Sequence, residues 1–200
     1  TFEQLKAQGF DAFFFAIGAH KSYTLNIPGE KEFPQVVDAV KLLKNVALGD
    51  RHVPGKQVVV IGGGNVAIDA ARTCLRLGSE EVTIAYRRSR SDMPADEEEV
   101  EQAEEEGIHL SFLTIPVEIV GENGYITALH CHRAEIVTRD DSGRKYPMPV
   151  LGSDFFIEAD TIITAIGQQV DHTGMESLRD LDWTRRNTIK VDMVSMQTSK

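Results

Sequence analysis

The fold is decided by one stretch, residues 56–90, which reads KQVVVIGGGNVAIDAARTCLRLGSEEVTIAYRRSR. The apolar run at 57–61 predicts a buried strand, and the pattern over 65–77 predicts a helix that stops at Gly78. A second strand is predicted at 82–86. Strand, helix and strand alternating at this spacing predict a parallel sheet of the α/β class.

The turn between the first strand and the helix matches the pattern G-x-G-x-x-G/A at Gly62, Gly64 and Ala67. The first glycine permits a tight turn, the second lets a phosphate approach the backbone, and the third small residue lets the helix pack on the strand. Free amides at the helix start then face an anion. The pattern predicts a dinucleotide site. A structural glycine turn and an adenosine site of the methyltransferase type are the alternatives.

Two other residues of this turn are less clear. Gly63 occupies a free position of the pattern and is expected only to ease the turn. Asn65 either caps the helix or bonds the phosphates of a cofactor, and the sequence leaves both roles open.

Three arginines, Arg87, Arg88 and Arg90, follow the second predicted strand. A site selective for NAD usually carries an acidic residue at this point, which bonds the ribose hydroxyls. A carboxylate would repel a 2′-phosphate, whereas a guanidinium binds it through charge-assisted hydrogen bonds. The arginines therefore predict selectivity for NADP(H), and solvated loop arginines are the alternative.

Further elements are predicted on both sides of this unit. The apolar run at 10–20 halts at Gly18 and predicts a strand buried on both faces. Residues 36–48 predict a helix. Residues 95–106 predict a second, acidic helix that is closed by Gly107.

From His109 the pattern changes to strands. Turns at 122–124 and 140–143 separate segments that predict an antiparallel meander: 109–114, 117–121, 125–137 and 153–160. Residues 160–169 predict another apolar strand that halts at a glycine.

Composition argues against several classes of protein. A net charge of −10 disfavours nucleic acid as a partner, and no apolar run approaches the roughly 20 residues that span a bilayer. No signal peptide is recognisable. Two cysteines, Cys74 and Cys131, cannot build a disulfide framework and are too few to ligate an iron–sulfur cluster. The compartment predicted is reducing and cytoplasmic.

Two tempting clusters are expected to be structural. The acidic residues of 95–106 favour a solvated helix face over a metal or partner site, because acids are stabilised near a helix N-terminus. His130 and His132 share one face of a predicted strand. Suitably spaced third and fourth ligands are lacking nearby, so no metal site is predicted.

The arrangement as a whole resembles the two-dinucleotide-binding-domain flavoproteins, specifically the small-subunit family of NADPH-dependent glutamate synthase. Five segments carry the likeness: VVVIGGGNVAIDAAR (58–72), YRRSRSDMPADEEEV (86–100), EEEGIHLSFLTIPVEIVG (104–121), and AIG at 16–18 and 165–167. The likeness implies an α/β fold, a Rossmann-like three-layer domain with a parallel sheet and an appended antiparallel β-meander.

In that family an FAD-binding domain is interrupted by an NADPH-binding domain, and the two AIG strands lie at the crossings. The resemblance implies three parts. Residues 1–30 would be a partial edge of the FAD-binding domain, 31–167 the NADPH-binding domain, and 168–200 a return into a truncated FAD-binding domain. The FAD fingerprint, a later flavin motif and the cysteine-rich iron–sulfur region are missing. The chain is therefore expected to be an excised fragment that is inactive alone.

The resemblance also implies the site residues. The backbone amides of five residues would contact the pyrophosphate: Gly62, Gly63, Gly64, Asn65 and Val66. The 2′-phosphate would be held by Arg87, Arg88 and Arg90. The nicotinamide half would pass close to Ala165, Ile166 and Gly167, and Gly18 would serve similarly near the flavin. Strand-end packing is the alternative for both AIG segments.

No catalytic side chain is predicted, because hydride transfer depends on positioning two rings rather than on a protein acid or base. The implied cofactors are NADPH and FAD. The implied partners are the FAD domain and the iron–sulfur region or subunit of an intact enzyme. Two alternatives stay open: a self-contained NADP-dependent reductase acting on a small substrate, and a non-catalytic docking domain that uses the acidic helix.

Overall fold

The computed structural model describes residues 2–138, 145–173, 178, 180–185 and 187–199. The helices are α1 (Phe2–Ala7), α2 (Ala39–Ala47), α3 (Asn65–Leu77) and α4 (Glu97–Glu105). The strands are β1 (Lys21–Ser22), β2 (Val36–Asp38), β3 (Gln57–Ile61), β4 (Glu81–Ala85), β5 (His109–Ser111), β6 (Thr114–Glu122), β7 (Tyr125–Thr138), β8 (Lys145–Glu158), β9 (Thr161–Thr164) and β10 (Gln168–Gln169). The chain divides into a smaller unit, residues 1–23 with 167–200, and a larger unit, residues 24–166.

The larger unit is built on a five-stranded sheet with the strand order β2-β9-β3-β4-β5, and every pairing in it is parallel. At the carboxyl end of the sheet, Ile61 of β3 pairs with Ala85 of β4 and with Thr164 of β9. The segments that follow these three strands therefore emerge at one edge of the sheet. Ligands of open α/β sheets bind at this edge.

One face of the sheet is covered by helices. Helix α3 buries a continuous stripe of small and apolar side chains, because these residues recur at helical spacing on one face: Ala67, Ile68, Ala71 and Cys74. They pack against Val60 and Ile84 of the sheet, and Val100 and Ala103 of α4 join the same core. Gly78 ends α3 in the left-handed conformation with φ 110°.

The opposite face is covered by an antiparallel meander in the order β6-β7-β8. Its inward side chains, among them Ile119 and Leu129, share a core with Val59 and Ile162 of the parallel sheet. The turn between β6 and β7 is Asn123-Gly124, and both residues have positive φ, which suits the twist of a two-residue hairpin. Helices, parallel sheet and meander confirm the predicted three-layer α/β fold.

Several predicted elements of the larger unit have different limits. The last strand of the meander, predicted at 153–160, is observed as β8 from Lys145 to Glu158. Strand β5 pairs in parallel with β4, so the first strand assigned to the meander belongs to the parallel sheet. Helix α2 begins at Ala39 rather than at residue 36, because Val36 and Val37 pair with β9 and the Asp38 carboxylate caps the helix by accepting from Lys41 N at 2.8 Å. The turn predicted at 140–143 lies outside the described residues.

In the smaller unit the strand predicted at 10–20 is wrong. Residues 10–20 form no helix or strand there, Phe14 is 91% exposed and Ile17 is 43% exposed. A buried strand needs neighbours that take its backbone hydrogen bonds. Among the residues described for this unit, the one ladder is the short pairing of β1 with β10. The strand predicted over 160–169 likewise stops at Thr164 and does not continue through Gly167.

Candidate functional site

The glycine turn, residues 62–64, begins where three strand ends meet. Gly62 N donates to Ala85 O at 3.1 Å, and Ala165 N donates to Ile61 O at 2.8 Å. Gly62 has φ 151°, and a Cβ there would lie 2.3 Å from Ala165 O. Only glycine fits this position, because the backbone of the neighbouring strand end occupies the space of a side chain.

Gly63 is not the free position that its place in the pattern suggests. A Cβ at Gly63 would lie 2.4 Å from both Cδ2 and Cε2 of the Tyr86 ring. Tyr86 follows β4 directly and is buried. Gly63 is therefore required for the close approach of this ring, and the sequence pattern did not indicate the contact.

Gly64 faces open space and begins α3. It is the N-cap, its φ and ψ are −95° and 175°, and a Cβ would meet nothing within 4 Å. The amides of Gly64, Asn65 and Val66 donate to no residue that the structure describes. The first turn of α3 carries no acidic side chain. Free donors and the positive end of the helix dipole thus point outward together, which is the arrangement that binds anions.

The Asn65 side chain does not cap the helix. Gly64 is the N-cap, and Asn65 Oδ1 instead accepts from the backbone amide of Asp96 at 3.1 Å. Its role as a cap is thus corrected. The side-chain oxygen is used to join α3 to the segment that precedes α4.

The arginine loop, residues 86–96, runs from the end of β4 to the start of α4. Tyr86 anchors it: the phenol donates to Asp92 O at 2.7 Å, and burial raises the pKa of Tyr86. A second anchor is Ala95 N, which donates to Gly63 O at 3.1 Å. The loop therefore lies against the glycine turn.

The three arginines of this loop have different surroundings. Arg87 is exposed, and its guanidinium makes no ion pair or hydrogen bond with any described residue. Arg88 is half-buried, and its Nε is buried without an acceptor in the described part of the chain. Arg90 Nη1 lies 2.6 Å from Glu104 Oε2 on α4. Arg87 is thus the guanidinium most available to an anion, and Arg90 already has a carboxylate partner.

The acidic helix α4 is bound to α3 at its end. Glu106 Oε1 accepts from Arg72 Nη2 and from Arg76 Nη2, each at 2.6 Å. The hydrogen bond from Arg72 holds the pKa of Glu106 below its usual value, and Arg76 adds to the effect. Asp96 caps the first turn by accepting from Glu98 N at 3.0 Å. Most other glutamates of α4 are exposed, as a solvated face requires.

The residues predicted near the nicotinamide and the flavin fall in both units. Ala165 and Ile166 follow β9 in the larger unit, where Ala165 packs on the helix side and Ile166 on the meander side of the sheet. Gly167 and Gly18 belong to the smaller unit and have positive φ of 99° and 68°. The larger unit therefore brings Gly62–Val66, the arginine loop and Ala165–Ile166 to one edge of its sheet.

Three site residues escape prediction from the sequence: Tyr86, Asp92 and Asp96. Their roles depend on tertiary contacts with the glycine turn and within the loop. Asp96 alone has a local signal, since aspartate before an acidic run is a common N-cap. From the sequence, Tyr86 is predicted only as the last residue of the strand at 82–86.

The cysteines are buried thiols, and the paired histidines of the meander contact an aspartate. Cys74 and Cys131 are fully buried in separate cores, and burial raises the pKa of each thiol to about 12. His130 Nε2 lies 2.7 Å from Asp154 Oδ1. The described residues contain no group of three or more His, Cys, Asp and Glu side chains that could hold a metal ion. No helix within the described ranges is long and apolar enough to cross a membrane.

Residues 3–200 match the family model described as pyridine nucleotide-disulphide oxidoreductase. The chain belongs to this family. Membership agrees with the predicted cofactor class, a pyridine nucleotide together with FAD. The chain's two free cysteines lie buried in different cores, so these residues supply no disulphide centre of the kind in the family's name.

Two proteins similar to this chain show the likeness in more detail. The chain is 42% identical over 202 residues to the β subunit of NADP(+)-dependent formate dehydrogenase from Moorella thermoacetica, covering 100% of this chain and 28% of the relative. It is 36% identical over 178 residues to the small chain of NADPH glutamate synthase from Halomonas elongata, covering 84% of this chain and 37% of the relative. The predicted likeness to that small subunit is confirmed, and the chain spans about a third of these relatives.

The fold also matches a solved oxidoreductase. FprA from Mycobacterium tuberculosis, solved in complex with NADPH, superposes with a TM-score of 0.71 at 21% identity, covering 90% of this chain and 54% of FprA. At this identity the match concerns the fold. It agrees with the α/β architecture built above.

Proposed function

We propose that the larger unit binds NADPH within an FAD-dependent oxidoreductase, with the diphosphate on the glycine turn and the 2′-phosphate on the arginine loop. The observation that supports this most is the open start of α3, which has no side-chain cap, together with the Arg87 guanidinium on the arginine loop, which has no partner among the described residues. Two sources of positive potential thus lie at the carboxyl edge of the parallel sheet, one from the backbone and one from a side chain.

The glycine turn fits a diphosphate. The absence of a side chain at Gly64 leaves the amides of Gly64, Asn65 and Val66 open to oxygen atoms, and none of these donors has an acceptor among the described residues. Hydrogen bonds to a charged acceptor contribute about 1.5–3 kcal/mol each. An anion at this point would also complete the uncapped helix end.

The arginine loop fits a 2′-phosphate. Within the described part of the chain, the exposed Arg87 has no ion-pair or hydrogen-bond partner, and the buried Nε of Arg88 has no acceptor. We assign the larger share of the 2′-phosphate contact to Arg87 and Arg88. Arg90 would contribute less, because Glu104 already neutralises it at 2.6 Å.

Bound NADPH would supply a hydride for transfer to FAD. The residues of this chain would bind and orient the nucleotide. Ala165, whose side chain is a single methyl group, would leave room beside it, and Ile166 would offer it an apolar contact. In the intact protein we propose onward electron transfer to an iron–sulfur region or subunit. The names of the relatives, a β subunit and a small chain of NADP-linked enzymes, support a partner subunit, and the iron–sulfur acceptor is part of the proposal alone. A cytoplasmic location is part of the proposal, since two free buried thiols suit a reducing compartment.

The test is calorimetric titration of the chain with NADP+ and NAD+, repeated for Arg87→Ala/Arg88→Ala, for Arg90→Ala and for Arg133→Ala. Arg133 is an exposed arginine of the meander, packed over Phe155, and serves as the matched control. We expect the double variant to lose most of an at least tenfold preference for NADP+, about 1.4 kcal/mol. Arg90→Ala should lose less, and Arg133→Ala should change nothing.

A double variant that kept the full preference would contradict this assignment of the 2′-phosphate site. The same samples separate the alternative functions. Oxidation of NADPH by a carbonyl compound without flavin would instead support a self-contained reductase. A folded chain that bound neither nucleotide but captured a basic partner through α4 would support a docking domain.

A further inference from the structure

The arginine loop is joined to the glycine turn and to α3 at several points, which is unusual for a surface connection. Its first residue, Tyr86, lies in the space that Gly63 leaves open. Its last two residues contact the glycine turn and α3: Ala95 N donates to Gly63 O at 3.1 Å, and Asp96 N donates to Asn65 Oδ1 of α3 at 3.1 Å. Both ends of the arginine loop are thus held against the glycine turn and the start of α3.

The middle of the arginine loop is held by hydrogen bonds between its own residues. The Tyr86 phenol crosses the loop and donates to Asp92 O at 2.7 Å, while Ser89 Oγ bonds the Asp92 carboxylate. Arg87 and Arg88 lie inside this closed segment. The backbone around these two arginines is also held from the start of the meander, where Leu113 N donates to Arg88 O at 3.1 Å and Thr114 N donates to Tyr86 O at 3.0 Å. The Tyr86 hydroxyl and the Asn65 side chain hold the remainder of the loop.

We propose that Asn65 and Tyr86 are positioning residues, which hold the arginine loop so that its guanidinium groups meet the 2′-phosphate of NADPH. This role rests on the proposed function and deepens it. Asn65 acts through its side-chain oxygen on Asp96 N and not on the nucleotide. Tyr86 acts through its hydroxyl on Asp92 O. Selectivity for NADPH thus depends on two residues that are not arginines.

The physical reason is preorganisation. A long arginine side chain loses conformational entropy when it binds a phosphate, and a loop that must also be ordered adds to that loss. Hydrogen bonds that already order the loop in the unbound chain reduce this entropy loss on binding, but only for a ligand that contacts the arginines. NAD+, which lacks the 2′-phosphate, should therefore be insensitive to the same bonds.

The variants that separate the two roles of Asn65 are Asn65→Ala and Asn65→Asp. Aspartate keeps an oxygen that accepts from Asp96 N, whereas alanine removes it. An aspartate also repels both nucleotides through the diphosphate that they share, and it repels NADP+ somewhat more because of the added 2′-phosphate. We expect Asn65→Ala to reduce the NADP+ over NAD+ affinity ratio about three- to tenfold, as the loss of one hydrogen bond would, and Asn65→Asp to reduce it less.

Tyr86→Phe removes only the hydroxyl and keeps the ring against Gly63. We expect the same ratio to fall about three- to tenfold while the affinity for NAD+ stays within about twofold of the unsubstituted chain. Matched controls are Asn45→Ala, at an exposed position of α2, and Tyr125→Phe, at an exposed position of the β6–β7 hairpin. Both should leave the ratio unchanged.

Hydrogen exchange without nucleotide gives an independent readout. The amide of Asp96 should exchange faster in Asn65→Ala than in Asn65→Asp, while amides in the core of α3 are unchanged in both. Three results would overturn the proposal: an unchanged affinity ratio in Asn65→Ala and Tyr86→Phe, a ratio that falls as far in Asn65→Asp as in Asn65→Ala, or equal exchange of Asp96 in the two Asn65 variants. Failure of the unsubstituted chain to prefer NADP+ would instead reject the proposed function itself, and this role with it.

Discussion

Gly63 and Gly64 are adjacent, yet alanine is expected to have opposite consequences at the two positions. At Gly64 a Cβ meets nothing within 4 Å, and φ −95° with ψ 175° is open to any residue. Restricting the unfolded chain stabilises by about 0.4–1 kcal/mol, and a poorer N-cap costs a similar amount. Gly64→Ala should therefore melt within about 4 °C of the unsubstituted chain.

The methyl group of Gly64→Ala does, however, occupy the space through which phosphate oxygens reach the three free amides. Loss of one charge-assisted hydrogen bond costs about 1.5–3 kcal/mol. The affinity for NADP+ should thus fall at least about tenfold, and the affinity for NAD+ should fall by a similar factor because both nucleotides carry the diphosphate.

At Gly63 the same methyl group would lie 2.4 Å from two ring carbons of Tyr86. The ring must move by about 1 Å, and overpacking of this kind costs roughly 1–3 kcal/mol. The displaced phenol also loses its bond to Asp92 O, about 1 kcal/mol more. For a chain of this size the melting temperature should fall by roughly 5–15 °C.

The assay is thermal unfolding followed by circular dichroism, together with calorimetric titration of both variants at a temperature where both are folded. A Gly64→Ala chain that bound NADP+ as tightly as the unsubstituted chain would refute the assignment of the glycine turn as a phosphate site. A Gly63→Ala chain that melted normally would refute the packing argument for Tyr86.

Two further predictions concern charge and thiols. Glu106→Gln should lower the urea midpoint of unfolding near neutral pH. The hydrogen bond from Arg72 lowers the pKa of Glu106 in the folded chain below the unfolded value of 4.5. The ionised Glu106 therefore stabilises the fold above pH 4.5, and this stabilisation is lost as the pH falls through the folded pKa. The difference between the two proteins should thus shrink in acid, and a constant difference in urea titrations down to pH 4 would contradict this. Cys74 and Cys131, with thiol pKa values of about 12, should resist iodoacetamide in the folded chain and react in guanidinium chloride, as mass spectrometry can show. Rapid labelling of the folded chain would count against the buried environments of both thiols.

The strand, glycine turn and helix of residues 57–78 could be predicted because their sequence patterns are local. Strand β3 and helix α3 have the predicted bounds, because an apolar run, a glycine turn and a terminal Gly78 each act over a few residues. The meander was predicted as such for the same reason. Asn123-Gly124 marks a hairpin wherever it joins two alternating segments.

The errors have long-range causes. Val36 and Val37 fit a helical pattern but pair with β9, which lies more than a hundred residues later in the chain. The run at 10–20 is apolar enough for a strand and finds no ladder among the described residues of its unit. Gly63 is predicted only to ease the turn, because the sequence does not show that the Tyr86 ring packs against it. Such contacts depend on tertiary packing rather than on spacing.

This chain is proposed to bind a pyridine nucleotide and to select NADP+ over NAD+ by contacts with the 2′-phosphate. The most direct measurement is calorimetric titration of the unsubstituted chain with NADP+ and, separately, with NAD+. We expect both nucleotides to bind and NADP+ to bind at least about tenfold more tightly than NAD+, a difference of about 1.4 kcal/mol. Equal affinities would contradict the role of the arginine loop, and a folded chain that bound neither nucleotide would mean that the glycine turn is only structural.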